Sequence, residues 1–355
     1  MLRAPTASDR RCAIADWLEL TALVSVRHVA SKGDLANVFD IADDGALDRS
    51  GRDPITGDLL DEEILEEARS QPLQTAFDEL EYRSASLGES YPFEVDSTRM
   101  VVRTRFVPDK VHFGQVAYAF CLLVTAIRDK KLAVGDLLDE ETLSLPLHFQ
   151  VCACLAAGGY FGGAVCSFGF PRATGEGFLP ALRAAYTRFG YGTVRQTIEP
   201  GMPKATKDGG VDVIAWLDHP DSMPSKLYSL GQSASGRDWT SKSAVGCDKP
   251  FHADWFSEHP AGHCLPAMYI PFLIHEKLEE FEGDTYFKAR SRLIASHDRS
   301  FGVIFDRLRI AHHMRTCMES DPARRVGVDG VDLAEHVANW VNGTVGKLMG
   351  HGTAR

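Results

Sequence analysis

Two polar side chains interrupt segments that otherwise have the composition of buried strands. KDGGVDVIAW, residues 207–216, contains Asp212, and LYSLGQSASG, residues 227–236, contains Gln232. Both segments predict strands, and the nine residues between Leu217 and Leu227 include two prolines, which suits a loop joining antiparallel neighbours. Strand parity would let the two polar groups face each other across one edge of the sheet. Packing alone would favour valine at both positions. The two polar residues therefore limit how these segments can fold, and they indicate that this edge of the sheet has a function.

The pair also predicts chemistry. A carboxylate beside an amide oxygen, a peptide carbonyl and one more acid forms a hard oxygen site of the kind that suits Mg²⁺. A magnesium ion at such a site can bind and polarise a scissile phosphate and generate hydroxide. A further strand is predicted at 192–198, so three neighbouring strands are expected within 192–235.

The chain divides by pattern into three parts. Residues 1–170 predict a mainly helical N-terminal region, and PRATGEGF at 171–178 is the best linker. A helix, three strands and a further helix are predicted over 171–250. Residues 251–355 predict a helical C-terminal region that packs on this core. The fold class is therefore α/β in the broad α+β sense, with extra helical regions at both ends.

Charge is distributed unevenly along the chain. The whole chain of 355 residues carries a formal charge of −11, and residues 40–100 alone hold 17 acidic side chains and five arginines. The acidity thus belongs to the N-terminal region. A nucleic acid would have to meet a local basic patch in the later part of the chain.

The sequence predicts a cytoplasmic protein that does not use a membrane. The apolar run at 113–127 is too short to span a bilayer, and the run at 151–170 is broken by glycine pairs, which favours a buried helix followed by a tight turn. No long apolar run marks the N-terminus as a signal peptide. The eight cysteines form no CxxC pair and predict reduced thiols.

Three segments taken in order resemble a known family. GEGFLPALRAAYTRFGYGTVRQTI, KDGGVDVIAW and LYSLGQSASG together resemble the PD-(D/E)xK restriction-endonuclease-like nucleases, in particular their Mrr-like branch. The resemblance covers about 70 of the 355 residues, and each motif is short. It implies a nuclease core at 171–250 with a mixed sheet flanked by helices.

The resemblance assigns a role to individual residues. Asp212 would be the metal-binding aspartate, and Gln232 would occupy the second acidic position. Glu176 resembles an extra acidic ligand before the first helix, and Asp208 would support the turn or the metal. The lysine expected two residues after Gln232 is replaced by Ala234. Lys242, on the next predicted helix, would supply the missing ammonium group, so that Asp212, Gln232 and Lys242 form the catalytic set.

The function implied is metal-dependent hydrolysis of phosphodiester bonds in DNA, with Mg²⁺ or Mn²⁺ as cofactor. The resemblance further implies a bacterial defence system, with an ATPase or helicase partner or a homo-oligomer to cut duplex DNA. In addition to Lys242, four basic residues are expected to surround the site and contact DNA phosphates: Lys204, Lys207, Arg237 and Lys249. Because of Ala234, a catalytically inactive subunit that keeps the nuclease fold and binds nucleic acid or acts as a scaffold is the alternative.

Other readings of the chemistry-bearing residues remain open. The segment 252–264 contains zinc-capable residues, but its spacing matches no standard zinc pattern. Trp239 is a packing anchor or, less favoured, a platform on which bases stack. The sequence has no Walker, GxSxG or dinucleotide-binding motif, so NTPase, esterase and dehydrogenase functions have no local support.

Overall fold

The protein is described here by a computed structural model. The described residues are 2–3, 5, 11–34, 62–107, 110–132, 135–172, 175–201, 207–236, 238–275, 278 and 281–353. The helices are α1 (Arg11–Val24), α2 (Glu62–Leu87), α3 (Phe113–Arg128), α4 (Asp139–Phe161), α5 (Phe178–Phe189), α6 (Ala244–Trp255), α7 (Gly283–Phe301), α8 (Arg307–Glu319), α9 (Pro322–Arg325) and α10 (Ala334–Thr353). The strands are β1 (Val29–Ser31), β2 (Phe93–Asp96), β3 (Val101–Thr104), β4 (Ala164–Ser167), β5 (Thr193–Val194), β6 (Val213–Leu217), β7 (Leu227–Ser233), β8 (Phe256–Glu258), β9 (Cys264–Tyr269) and β10 (Val303–Phe305).

A mixed five-stranded sheet organises the fold, in the order β10-β9-β7-β6-β4. Strands β4, β6 and β7 pair antiparallel, whereas β7, β9 and β10 run parallel. The parallel pairs need crossover connections, which α6 and α7 provide. The predicted α+β class is confirmed, and so is the antiparallel pairing of β6 with β7, in which Val213 lies opposite Gly231.

Three neighbouring strands were predicted within 192–235, and the prediction is wrong for the first of them, at 192–198. Strand β5 is two residues long and pairs with β8 in a separate sheet. Of its segment only Val194 is buried, and Ile198 is 40% exposed, so 192–198 has too little apolar surface for a central strand. The neighbour of β6 is β4, from the region predicted to be helical. The large sheet also includes β9 and β10, from the part of the chain after residue 250.

The apolar run at 151–170 divides between a helix and a strand. Helix α4 ends at Phe161, and Gly162 then takes a left-handed conformation with φ of 67°, which leads the chain into β4. Among the described helices, α4 alone has the length and apolarity to cross a membrane. Most of its second half is buried against α8 and the sheet, as expected for a packed core helix.

The two faces of β6 belong to different apolar clusters, so polar side chains on this strand can lie only at its ends. Val213 and Ala215 pack with α3, α4 and α8, while Ile214 and Trp216 pack with α5 and α6. The strand is therefore covered on both sides. Asp212 immediately precedes this covered segment, at the point where β6 begins.

A buried group of charged side chains connects the N-terminal helices to the rest of the molecule. The Asp16 carboxylate on α1 pairs with Arg83 of α2 and Arg307 of α8, at 2.8 Å each. Glu79 of α2 pairs with Arg83 at 3.0 Å and with Arg290 of α7 at 3.2 Å. Burial opposes ionisation of Asp16, yet the two arginines outweigh it and hold the pKa of that carboxyl below its usual range.

Candidate active site

Four of the residues singled out from the sequence line one surface cleft. The cleft has a volume of about 390 Å³ and lies between α4, the loop after β4, the start of β6 and the end of β7. Its polar lining includes Asp208, Asp212, Gln232 and Lys242, and we call it the Asp212 cleft. Residues from separate parts of the sequence therefore meet at one edge of the sheet.

The backbone of Asp212 is held on both sides. Its N–H donates to the Gly231 carbonyl at 2.8 Å, and its own carbonyl accepts from the N–H groups of Phe168 at 2.8 Å and Gly169 at 3.0 Å. Its Oδ2 accepts the Ser233 N–H at 2.7 Å. These bonds fix the carboxylate at the junction of β4, β6 and β7. One carboxylate oxygen is thereby engaged by the backbone of β7.

The electrostatics of the cleft shift the titration of Asp212. Burial is the largest cause and raises the pKa of its carboxyl, while the hydrogen bond from the Ser233 N–H lowers it. The carboxylate of Asp208 raises this pKa, and the ammonium group of Lys242 lowers it. The resulting pKa is about 6, compared with an ordinary 3.8. Lys242 thus acts on Asp212 through its charge.

Gln232 presents a buried acceptor that lacks a partner. Its Oε1 accepts no hydrogen bond from any of the described residues, and the same is true of Ser233 Oγ beside it. An unpaired buried polar group costs about 1–3 kcal/mol. A hydrogen bond or a coordinated ion at these two atoms would relieve this cost.

Gln150 was missed by the sequence analysis. This buried residue of α4 lines the Asp212 cleft, and its Nε2 donates to Ser167 Oγ at 2.8 Å and to the Asp212 carbonyl at 3.3 Å. A Cβ at Gly169 would lie 2.6 Å from Gln150 Oε1 and 2.7 Å from Asp212 Oδ1, so both oxygens crowd the same glycine. The sequence pattern that could have identified Gln150 is a single glutamine in an otherwise apolar helical segment. The same kind of pattern identified Gln232 in its strand.

Lys242 and Asp208 approach the cleft from short local structures. Lys242 directly follows a 3₁₀ helix, Trp239–Ser241, and its N–H donates to the Trp239 carbonyl at 3.0 Å. Asp208 accepts the Gly210 N–H at 2.8 Å through Oδ1, which stabilises the turn before β6. Asp208 therefore supports the turn and also contributes negative charge to the cleft.

Ala234 occupies a position where a lysine would not fit. It is 1% exposed and belongs to an apolar cluster with Trp239, Met268 and Ile304. An ammonium group there would be buried without a partner, at high cost.

Trp239 is itself 1% exposed and contacts the rings of Phe272 and Phe301, so it is a packing anchor rather than a platform for bases.

The structure does not bring Glu176 into the Asp212 cleft. Glu176 is exposed and lines a neighbouring cavity instead. The reason is that Glu176 precedes α5, which covers the face of the sheet opposite to α4. The sequence-based assignment of Glu176 beside Asp212 is therefore corrected.

The basic residues predicted to bind nucleic acid fall largely outside the described residues. Lys204, Arg237 and the side chain of Lys249 lie outside them. Lys207 is exposed, and its Nζ lies 5.6 Å from the centre of the Phe170 ring, which borders the cleft. Arg128, at the end of α3, also lines the cleft. Lys242, Lys207 and Arg128 thus place positive charge at or beside the cleft.

The donors in the cleft fit a divalent cation that takes few protein ligands. Asp212, Asp208 and the unpartnered Gln232 Oε1 supply oxygen, the donor type that Mg²⁺ prefers. In the part of the chain that the structure describes, no three His, Cys, Asp or Glu side chains converge. Magnesium is commonly bound by only one or two carboxylates, with substrate phosphate and water completing its shell, so this small set suffices.

His252, from the segment considered for zinc binding, is buried and packs against the ring of Phe256.

Comparison with known proteins gives no family assignment. No protein-family model, no curated protein and no solved structure matches this chain. The geometry of the Asp212 cleft and the sequence motifs are therefore the observations that bear on function.

Proposed function

We propose that this protein is a metal-dependent DNA endonuclease with a PD-(D/E)xK-like core. The observation that carries the proposal is the meeting of Asp212, Gln232, Asp208 and Lys242 in one cleft. These residues were predicted from the sequence motifs, and they come from the turn before β6, from β7 and from the segment after the 3₁₀ helix. A carboxylate and an amide oxygen can hold a metal ion, and a lysine can stabilise negative charge on a phosphate, so the cleft contains groups that can serve phosphodiester hydrolysis.

The hairpin of β6 and β7 also supports the proposal. Asp212 at the start of β6, Gln232 in β7, helix α4 and the loop after β4 border the cleft, while α5 and β5 are inserted between β4 and β6. The sequence motifs called for a helix, three strands and a helix. Strand β4 precedes the helix of the first motif in the chain and is therefore not the strand predicted at 192–198, so the part of the predicted order that the sheet contains is the β6–β7 pair.

Each residue has a distinct task in the proposed reaction. Asp212 anchors the cation with its charge, and Gln232 and Asp208 complete the oxygen ligands. Lys242 stabilises negative charge that develops on the phosphate. Magnesium, when bound, polarises the phosphate and lowers the pKa of a bound water. Gln150 positions Asp212 through the hydrogen bond to its carbonyl.

The wider setting follows from the resemblance to restriction-endonuclease-like proteins. We propose a cytoplasmic protein that takes part in bacterial defence against foreign DNA. A second copy of the chain or an ATPase or helicase partner would be needed to cut both strands of a duplex, because one core holds one such cleft. DNA binding should weaken as salt is added, since the contacts are to phosphate.

The proposal is tested by incubating the purified protein with plasmid and linear DNA in the presence of different cations. Mg²⁺ and Mn²⁺ should support cleavage, and a chelator should abolish it. Ca²⁺ should support DNA binding without turnover, because its loose coordination suits binding better than in-line attack. DNA that is bound but never cut, with either metal and with or without partner proteins, would contradict the proposal.

A second candidate function is a non-catalytic subunit that keeps the nuclease fold and binds nucleic acid. Buried Ala234 favours it, since the usual lysine position has become part of an apolar cluster. The two candidates differ in the role of Lys242. If Lys242→Ala leaves metal-dependent cleavage unchanged, Lys242 does not replace the usual lysine. If the wild-type protein binds DNA and cuts nothing, the non-catalytic candidate is correct.

A further inference from the structure

A second cavity lies directly beside the Asp212 cleft and has no role in the proposed chemistry. This side cavity has a volume of about 350 Å³ and opens between one face of α5 and the turn at residues 329–333. Its volume falls within the range of about 300–1,000 Å³ that is typical of small-molecule sites. Gln150, Leu147 and Pro171 line both spaces, so the two share a wall.

The shared wall is thin at Gly169. This glycine lines the side cavity, and a Cβ placed on it would lie 2.7 Å from Asp212 Oδ1 in the neighbouring cleft. Any side chain at this position would collide with the carboxylate. A group in the side cavity would therefore be separated from one at Asp212 by little more than a backbone segment.

The lining of the side cavity suits a flat ring with polar edges. One wall is the small-residue face of α5, formed by Ala181, Ala184 and Ala185, and Leu147 and Val151 of α4 also line the space. Such walls leave room for a ring and contact its faces.

Polar groups lie at the ends of this space. The Arg172 guanidinium lies over the Phe168 ring at 4.7 Å, and its Nε is buried without a partner among the described residues. Ser167 and Asp329 also line the space and supply a hydroxyl and a carboxylate, and Arg188 pairs with Asp329 at 2.8 Å. Hydrogen bonds to the edge of a ring and apolar contact with its faces are how proteins hold an unstacked base.

We propose that the side cavity holds a single unstacked nucleobase of the strand whose phosphate lies in the Asp212 cleft. This inference rests on the proposed nuclease function. It adds that the enzyme acts on single-stranded DNA or on a nucleotide that has left the duplex stack. An unpaired base costs least to place in such a pocket, so unpaired or damaged positions would be preferred substrates.

The first test uses dAMP, dCMP, dGMP and dTMP as separate probes in saturation-transfer NMR with the full-length protein. The base protons should receive more saturation than the sugar protons. Ala184→Trp should fill the cavity from its exposed rim and weaken the signal at least about tenfold, the size expected for loss of base stacking. Thr187→Trp is the matched control, because Thr187 is exposed on the same helix and does not line the cavity. Ala184→Leu repeats the test with a smaller side chain if the tryptophan impairs folding.

The second test distinguishes a base within a strand from a free nucleotide. A single-stranded oligonucleotide that carries 2-aminopurine is titrated with each variant, with anisotropy reporting binding and base fluorescence reporting unstacking. The wild type and Thr187→Trp should raise the fluorescence on binding, and Ala184→Trp should bind without the rise. Equal behaviour of the two tryptophan variants in both tests would overturn the inference. A response to mononucleotides without one to the strand would also overturn it, since the cavity would then serve a free nucleotide.

Failure of this inference can be distinguished from failure of the proposed function. If metal-dependent cleavage occurs but filling the cavity changes nothing, the nucleobase site is wrong and the nuclease assignment stands. If nucleobases occupy the cavity but no metal supports cleavage, the nuclease assignment is wrong and the nucleobase site stands.

Discussion

At the scale of single residues, Asp212 is the group whose behaviour can be predicted most closely. Its folded-state pKa of about 6 lies above the ordinary 3.8, so the folded protein holds this proton more tightly than the unfolded chain does. The stabilisation is fully present below pH 4 and is lost as pH rises through about 6. At neutral pH the ionised carboxylate thus carries a cost that a cation in the cleft would offset.

We therefore expect Asp212→Asn to change stability in a pH-dependent way. Relative to the wild type, the metal-free variant should gain stability on going from pH 4 to pH 7, by on the order of 1–3 kcal/mol. Denaturant unfolding at both pH values measures this difference. Asp254→Asn, at an exposed site on α6, is the control and should show no such change. A difference between wild type and Asp212→Asn that does not vary with pH would mean that this carboxyl is not perturbed.

Gln232 gives a prediction that separates function from folding. In the metal-free protein, Gln232→Leu should be neutral or stabilising by up to about 1 kcal/mol, because it removes an unpaired buried acceptor. The same variant should bind Mg²⁺ more weakly, whereas Gln232→Glu should keep or strengthen binding by adding charge. Thermal unfolding and isothermal titration calorimetry measure the two effects. A large loss of stability in Gln232→Leu would instead assign the glutamine a structural role.

The sequence predicted some residues of the cleft correctly and missed or misplaced others. Asp212 and Gln232 were found because each breaks an apolar strand pattern, and strand parity predicted that they would converge. Gln150 was missed because helix α4 is far away in sequence, and its approach to Asp212 depends on tertiary packing. Glu176 was assigned wrongly because its distance from the cleft depends on which face of the sheet α5 covers, and the pattern of α5 does not specify this.

At the scale of elements, the main error concerned the neighbour of β6. Residues 164–167 lie in the apolar run 151–170, for which the sequence predicted a buried helix followed by a tight turn, and the left-handed turn at Gly162 separates that helix from strand β4. Residues 192–198 contain β-branched side chains but little surface that can be buried. Short apolar runs do not distinguish helix from strand by periodicity, so the sheet partner was decided by packing.

The buried charges that join α1, α2 and α8 give a prediction at this scale. Asp16→Asn should destabilise the protein by about 3–5 kcal/mol, because Arg83 and Arg307 would be left buried with reduced compensation. Asp254→Asn again serves as the control, with a change within about 0.5 kcal/mol as at ordinary surface sites. Both are measured by denaturant unfolding at neutral pH. A small effect at Asp16 would show that the ion pairs of Asp16 contribute little to holding these helices together.

At the scale of the whole molecule, the distribution of charge limits how DNA would approach. The chain carries −11 overall, so long-range attraction to phosphate is absent and contact depends on local positive charge. Arg128 and Lys242 line the Asp212 cleft together with Asp208, Asp212 and Asp238, and Lys207 lies beside it, so a phosphate at this edge would depend on these cations and on a metal ion that offsets the carboxylates.

The central claim is that the Asp212 cleft is a metal-dependent active site for DNA cleavage. Its most direct test is single-turnover cleavage of DNA with Mg²⁺ by the wild type, Asp212→Asn and Asp254→Asn. Asp212→Asn should retain the fold and lose cleavage by on the order of 10³-fold or more, since the cation loses its charged anchor. Asp254→Asn should cleave at the wild-type rate. Equal rates for the wild type and Asp212→Asn would contradict the account and place any cleavage outside this cleft.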